Sequence, residues 1–169
     1  MAKKKKNEAE IKAVTVNELK KEMLSLPHAE LVEICLRLAK FKKENKELLS
    51  YLLFDASYPE TYLDQVKAYI DAEFDNLGTT HAYLAKKTIR KILRITNKHI
   101  RFTQSKTTEI ELLLHFSKRL RTAGDLLKSS VQLGNLYFQQ LRKIEKAIDA
   151  QHEDLQYDYR RQLELLAKV

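Results

Sequence analysis

The chain of 169 residues contains three glycines, two prolines and no tryptophan. Strand-rich proteins need many tight turns, which glycine, asparagine and proline supply, so this scarcity argues against a β fold. A nucleotide site needs a glycine-rich loop whose backbone amides approach the phosphates. Gly78, Gly124 and Gly134 lie too far apart to form one. Gly134 falls inside a predicted helix, where glycine costs ~1 kcal/mol relative to alanine, so we expect another backbone to pass close to it.

Cysteine is almost absent, because Cys35 is the only one. A single cysteine excludes a disulfide within the chain and a zinc finger, and it suits a reducing compartment. The lysine run at residues 3–6 is followed by polar residues where a signal peptide would be apolar. We therefore expect a cytoplasmic protein. Cys35 occupies an apolar stripe at helical spacing, so we expect it in the core rather than as a nucleophile.

Long apolar runs are also missing, since no segment approaches the ~20 apolar residues that a membrane-spanning helix needs. We therefore expect no membrane association. Apolar residues make up 44% of the chain and charged residues 32%, a mixture typical of a folded chain in water. Residues 1–13 are polar and strongly charged and predict a disordered basic tail. Residues 14–169 are expected to form a single helical domain.

Apolar residues recur at helical spacing through this region and predict seven or eight helices and no strand. Thr15 and Glu18 have the spacing of a capping box at the start of the first helix. Three successive helix pairs are predicted, over residues 15–54, 59–102 and 107–150. Units of about 40–47 residues are typical of two-helix solenoids, but the three stretches share no clear similarity. The expected fold is all-α, with antiparallel hairpins in a short HEAT-like stack or an irregular bundle.

The five histidines repeat no spacing that is typical of metal ligands. A helical di-metal site uses Glu-x-x-His on two helices and one glutamate from each of two others, and the sequence lacks this pattern. Glu111 and His115 lie one helical turn apart, as do Asp149 and His152. A helical metalloenzyme with a metal among Glu145, Asp149 and His152 is the third hypothesis for the function. The sequence predicts no metal, no cofactor, no small-molecule substrate and no catalytic residue, and hence a protein that is not an enzyme.

Charge is distributed unevenly along the chain, whose net charge is +8. Residues 76–124 hold 11 basic and 2 acidic side chains, whereas the stretches on either side are close to neutral. On a helical projection, seven of these cations fall within an arc of about 140°, opposite an apolar side. These seven residues are called the basic face: Lys86, Lys87, Arg90, Lys91, Arg94, Lys98 and Arg101. We expect three cations of the following helix to extend it: Lys118, Arg119 and Arg121.

The basic face has no acidic residue one helical turn away. Exposed helices usually interleave the two signs, because opposite pairs add ~0.2–0.5 kcal/mol and like pairs cost about as much. The pattern therefore indicates a docking surface for a polyanion. If the face neutralised seven phosphates, the logarithm of the binding constant would fall with the logarithm of the salt concentration, with a slope of about −6. Two alternatives stay open: the face is simply solvated, or the acidic stretch of residues 7–75 covers it.

The leading hypothesis is a non-enzymatic interaction or scaffold protein that docks an acidic protein partner on the basic face, or associates with a second copy of itself. The second hypothesis is a sequence-nonspecific nucleic-acid-binding protein that uses the same face on phosphates. Base-stacking aromatic residues are not interleaved with these cations, which weakens the case for single-stranded nucleic acid.

Residues 16–54 have the sequence VNELKKEMLSLPHAELVEICLRLAKFKKENKELLSYLLF. The short first helix, the LSLPHAEL junction and the lysine-rich third segment resemble an uncharacterised family of small bacterial all-helical proteins, classed only as a domain of unknown function. The resemblance implies a bacterial all-helical protein. It implies no substrate, cofactor or catalytic residue.

Overall fold

The computed structural model of the chain describes residues 13–77, 82–128 and 130–168. These described residues form nine α-helices and one π-helical turn (Tyr51–Asp55), and they contain no strand. The prediction of an all-α fold is confirmed. The helices are α1 (Val16–Ser25), α2 (His28–Phe41), α3 (Lys43–Ser50), α4 (Pro59–Asp75), α5 (Ala82–Thr103), α6 (Lys106–Thr122), α7 (Gly124–Lys128), α8 (Val131–Asp149) and α9 (Glu153–Ala167). The predicted tail falls almost wholly outside the described residues, and Gly78 lies outside them.

The chain divides into two compact units, and the boundary between them falls between Leu49 and Ser50. The sequence, by contrast, predicts a single domain from residue 14 onward. In the first unit, the Thr15 side chain accepts a hydrogen bond from the Glu18 amide, and the Glu18 carboxylate accepts one from the Thr15 amide at 2.8 Å. The predicted capping box is therefore confirmed. Extended backbone at Lys42 separates α2 from α3.

Helices α1, α2 and α3 contain no buried side chain. Cys35 is half-buried, so the prediction that it belongs to a core is wrong. Its apolar stripe has the spacing of a core helix, but a stripe becomes a core only when a second element covers it. The unit from Met1 to Leu49 does not supply such an element to α2 within its described residues.

The second unit has its core around α6, which packs against α4, α5, α8 and α9. Three consecutive residues of this helix, Leu112, Leu113 and Leu114, are all buried. Consecutive side chains on an α-helix point about 100° apart, so a buried run of three means that neighbours cover α6 on most of its circumference. The other helices contribute one apolar side each. Their most deeply buried members are Ile70, Ile89, Ile92, Leu133, Tyr137 and Ile144.

Polar contacts join α4 to α6 at a constant separation of 44 residues: Lys67 with Glu111, Asp71 with His115, and Asp75 with Arg119. The same separation joins α6 to α9, through Lys118 with Gln162 and Arg121 with the Leu165 carbonyl. The α4–α6 pairs advance by four residues on both helices, so α4 and α6 run in the same direction. The polar contacts thus join helices that are not neighbours in the sequence, α4 to α6 and α6 to α9.

Candidate polyanion-docking face

Helix α5 carries the basic face, and its opposite side is firmly packed. Ala85, Ile89, Ile92 and Thr96 recur at helical spacing and are each at most 1% exposed. The Thr96 hydroxyl donates a hydrogen bond to the Ile92 carbonyl at 2.9 Å, so the only polar member of this stripe is satisfied within its own helix. These residues lie on the side that packs against α4 and α6. The packing holds the opposite side of α5 toward solvent.

The predicted basic face lies on that solvent side. Five of its side chains are exposed and two, Lys86 and Lys98, are half-buried. The Nζ atom of Lys98 lies 6.0 Å from the ring centre of Phe102, a cation–π distance. The exposed members are Lys87, Arg90, Lys91, Arg94 and Arg101.

Lys91 of the basic face is paired with an acidic residue of α4. The Nζ atom of Lys91 lies 3.1 Å from Oε2 of Glu73, so internal charge pairing of the kind considered from the sequence occurs at this position. Arg90 donates a hydrogen bond to Gln132 on α8 at 3.0 Å, which orients its guanidinium but leaves its charge uncompensated. In the described part of the chain, neither Lys87 nor Arg94 has an ion-pair partner.

Four of these cations surround a shallow depression of about 380 Å³ on the outer side of α5. Its lining consists of Lys87, Thr88, Arg90, Lys91 and Arg94. The two guanidinium groups can each hold a carboxylate or a phosphate with two parallel hydrogen bonds, and the lysines add mobile point charges. The depression therefore has the chemistry to bind an extended or branched anion.

The three cations expected to extend the face are used inside the fold. The Arg119 Nε lies 3.2 Å from Oδ1 of Asp71, and its guanidinium also pairs with Asp75. Lys118 donates to Gln162 at 2.9 Å. Arg121 donates to carbonyls at the end of α9. These side chains attach α4 and α9 to α6, and none of them lines the depression on α5.

No family model matches the chain, and neither a curated protein nor a solved structure matches it. The resemblance of residues 16–54 to a bacterial family therefore stays a prediction. The function of the chain must be inferred from its own side chains.

A polar cluster that the sequence did not single out lies at the junction of α4, α6 and α9. Glu111 accepts hydrogen bonds from Lys67 at 2.7 Å and from the Tyr159 hydroxyl at 3.0 Å. Burial alone would raise the pKa of Glu111, but the hydrogen bonds from Lys67 and Tyr159 lower the pKa below its ordinary value. Burial, followed by the bond to Glu111, raises the pKa of Tyr159 to about 12. The cluster joins three helices through a single carboxylate.

Two of the three residues of the metalloenzyme hypothesis, Asp149 and His152, have separate contacts. Asp149 accepts a hydrogen bond from Arg160 at 2.8 Å. The ring of His152 accepts one from the Asp154 amide and so caps the start of α9. Across residues 13–77, 82–128 and 130–168, no three histidine, cysteine or acidic side chains are placed to hold a metal ion. Nor does any helix in these ranges combine the length and apolarity needed to cross a bilayer.

Proposed function

We propose that the chain is a non-enzymatic interaction or scaffold protein that docks an acidic protein partner on the basic face of α5. The observation that supports this proposal is the depression on α5, where four cations converge and, among the residues that the structure describes, only Lys91 is paired with a carboxylate. The packed side of α5 fixes the backbone that carries these cations, so binding orders their side chains but not the helix. An acidic segment supplies carboxylates in the geometry that the two arginines accept.

Docking begins with electrostatic steering, because a cluster of like charges raises the rate of encounter with a partner of opposite sign. Arg90 and Arg94 then take carboxylates in bidentate pairs. The Lys91 ammonium, already shared with Glu73, exchanges part of that contact for the partner. Tyr83 lies one turn before Lys87 and is 76% exposed, so it offers the partner an aromatic surface next to the charges. Steering is thus followed by apolar contact.

Sequence-nonspecific binding of nucleic acid is the second candidate. It is favoured by the length of the basic face, which runs from Lys86 to Arg101 along one continuous helix and could follow a phosphate backbone. The two candidates differ in the number of anions engaged. The four cations of the depression predict a salt slope of about −3 to −4, whereas contact with all seven predicts about −6.

The test compares two double charge reversals in the full chain. Lys87→Glu/Arg94→Glu alters the depression, while Lys143→Glu/Lys146→Glu makes the same change of net charge at exposed positions on α8. Fluorescence anisotropy measures the binding of labelled polyglutamate and of labelled duplex DNA over a salt series. We expect polyglutamate to bind with the shallower slope, and the α5 variant to lose at least about tenfold in affinity while the α8 variant loses much less.

Three outcomes would contradict this proposal. Binding of neither probe at low salt would remove the polyanion site altogether. Equal losses in the two variants would mean that only net charge matters. Tighter binding of DNA than of polyglutamate at every salt concentration, with the steeper slope, would establish the second candidate in place of the first.

A further inference from the structure

A cavity of about 390 Å³ lies between α7 and α8 and is called the α7–α8 cavity. Its described lining comes from the end of α6, from α7 and α8, and from Lys168, the residue that follows α9. It shares none of these residues with the depression on α5. Small-molecule sites usually have volumes of about 300–1,000 Å³ and a mostly apolar lining with a few polar groups that orient the ligand. The cavity therefore has the size for a small ligand, and its side chains indicate which kind.

The inner wall of the cavity is apolar and partly aromatic. Leu127 and Tyr137 are buried, whereas Phe138 is 46% exposed and so lies nearer the opening. The centres of the two rings lie 5.8 Å apart, and the ring planes meet at 75°. The Tyr137 hydroxyl donates a hydrogen bond to the Leu166 carbonyl at 2.8 Å, so the polar end of this side chain is satisfied by α9. The wall thus offers aromatic and aliphatic carbon, which favours a ligand that contains an aromatic ring.

Two of the three glycines of the chain, Gly124 and Gly134, line this one cavity. They belong to different helices, and Gly134 lies inside α8, where glycine is unfavourable. Among the described residues, a Cβ at either position would meet no heavy atom within 4 Å apart from the chain neighbours and the adjacent helix backbone. Close packing against another helix therefore does not account for them. Because both glycines line the cavity, a larger side chain at either position would extend into space that a ligand can use.

The described lining also contains three cations and no acidic side chain. Arg121 donates hydrogen bonds to the carbonyls of Leu165 and Lys168, which hold its guanidinium in place without neutralising its charge. Lys128 and Lys168 are exposed, and in the described part of the chain neither is paired with a carboxylate. Three positive charges beside an apolar wall favour a ligand that is itself amphipathic and negatively charged.

We propose that the α7–α8 cavity binds a small aromatic carboxylate. The ring system packs on the aromatic wall, in the space beside the two glycines. The carboxylate lies at the opening and accepts hydrogen bonds from the ammonium groups of Lys128 and Lys168. Arg121 stays bound to the carbonyls of α9 and adds a fixed positive charge. This inference concerns a different surface from the basic face and does not depend on it.

Three naphthalene derivatives of similar shape and different charge test the ligand class on the full chain. 2-Naphthoate is an anion, 2-naphthalenemethanol is neutral and 2-naphthylmethylamine is a cation. The chain contains no tryptophan, so the fluorescence anisotropy of the naphthalene ring can be followed with little interference from the protein. We expect 2-naphthoate to bind at least about tenfold more tightly than the alcohol, and the amine to bind most weakly. Decanoate has the same charge on an aliphatic chain and should bind more weakly than 2-naphthoate, as measured by displacement.

A substitution that fills the cavity tests its location. Gly134→Leu should weaken the binding of 2-naphthoate at least about tenfold, because the leucine takes up the space of the ring. The control is Asn135→Leu, which adds the same side chain at an exposed position of α8 outside the described lining and should bind like the wild type. Circular dichroism checks the helix content of both variants.

A second pair of variants tests the cations and still decides the question if Gly134→Leu does not fold. Lys128→Met/Lys168→Met removes two exposed charges of the cavity and should weaken the binding of 2-naphthoate but not that of the alcohol. Lys143→Met/Lys146→Met makes the same change of net charge at exposed positions of α8 outside the described lining, and it should bind 2-naphthoate nearly as the wild type does.

Four outcomes would overturn the proposal. They are no binding of 2-naphthoate, equal affinity for 2-naphthoate and the alcohol, tighter binding of decanoate, and equal losses in a cavity variant and its control. The charge reversal Lys87→Glu/Arg94→Glu on α5 should leave the binding of 2-naphthoate nearly unchanged. If it abolished that binding, the acid would be held by the basic face and not by the cavity. Polyglutamate binding is measured separately, so failure of the cavity and failure of the basic face give different results.

Discussion

The Nζ atom of Lys67 on α4 lies 2.7 Å from Oε2 of Glu111 on α6, and each side chain is about three-quarters buried. The other carboxylate oxygen accepts the hydroxyl of Tyr159 on α9 at 3.0 Å. One carboxylate of α6 thereby contacts two other helices, α4 and α9, that are far apart in the sequence. Apolar packing alone tolerates small sliding of helices, whereas these directional bonds favour one alignment of α4, α6 and α9.

The first prediction concerns the lysine of this cluster. Lys67→Met keeps an apolar stem of similar length but leaves the Glu111 carboxylate without its cation. A partly buried charge that loses its partner is costly, so we expect the free energy of unfolding to fall by about 1–2 kcal/mol. Urea unfolding followed by circular dichroism measures the change.

The matched control is Lys106→Met, which removes the more exposed lysine of a pair with Glu109 that lies within α6. Exposed pairs typically contribute less than about 1 kcal/mol, and pairs within one helix about 0.3–0.5 kcal/mol. The Lys67 variant should therefore lose clearly more stability than the Lys106 variant. Equal losses would show that Glu111 is well solvated and that the cluster contributes little.

The second prediction is a dependence of stability on alkaline pH. The pKa of Tyr159 is raised from 10.0 to about 12 in the folded chain, so the fold favours the neutral hydroxyl. Its contribution is complete below the unfolded pKa and is lost as the pH rises from 10 to about 12. The wild type should lose stability over this interval more steeply than Tyr159→Phe, in urea unfolding at a series of pH values. Parallel curves for the two proteins would contradict the prediction.

Glu111 gives the opposite dependence at acid pH. Its folded pKa is lowered from 4.5, so its contribution is present above that value and is lost as the pH falls through the folded pKa. In Glu111→Gln this part of the acid destabilisation should disappear. The Tyr159 hydroxyl should also titrate at a lower pH in this variant, because its charged hydrogen-bond partner is gone.

Helix content could be predicted from periodicity, but the arrangement of the helices could not. The three α4 residues of the polar contacts are Lys67, Asp71 and Asp75, and the α6 residues 44 positions later are Glu111, His115 and Arg119. The paired residues differ in type, because each pair joins a hydrogen-bond donor to a carboxylate. A search for internal similarity therefore fails, even though the separation between the paired residues is constant.

The candidate site shows the same limit. The cations of α5 and their helical arc could be predicted from the sequence, because the arc depends only on spacing. The pairing of Lys91 with Glu73 could not, since it depends on how α4 packs against α5. In α2, apolar spacing around Cys35 correctly indicates an amphipathic helix, yet it carries no information about what covers the apolar side.

The third prediction uses the pairing of Lys91 with Glu73 to test the basic face. Glu73→Gln removes the carboxylate that shares Lys91 and should strengthen polyanion binding, so that the protein elutes from heparin at higher salt. Asp64→Asn changes the net charge equally at an exposed position of α4, and it should shift elution less. If the two variants eluted together, the effect would reflect net charge rather than the local field at the depression.

The fourth prediction concerns Gly134, where a close backbone neighbour was expected from the sequence. That expectation is wrong: among the described residues, a Cβ at Gly134 would meet no heavy atom within 4 Å apart from its chain neighbours and the adjacent backbone of its own helix. Gly134→Ala should therefore gain the usual helix-propensity difference without a clash, raising the free energy of unfolding by about 0.5–1 kcal/mol.

Gly124 provides the comparison, because it is also open to a Cβ but stands at the first position of the short helix α7. A glycine at a helix end costs less than one in the interior, so Gly124→Ala should stabilise the chain less than Gly134→Ala. Both changes are measured by urea unfolding. A loss of stability in Gly134→Ala would mean that a group of the folded protein occupies the space beside α8.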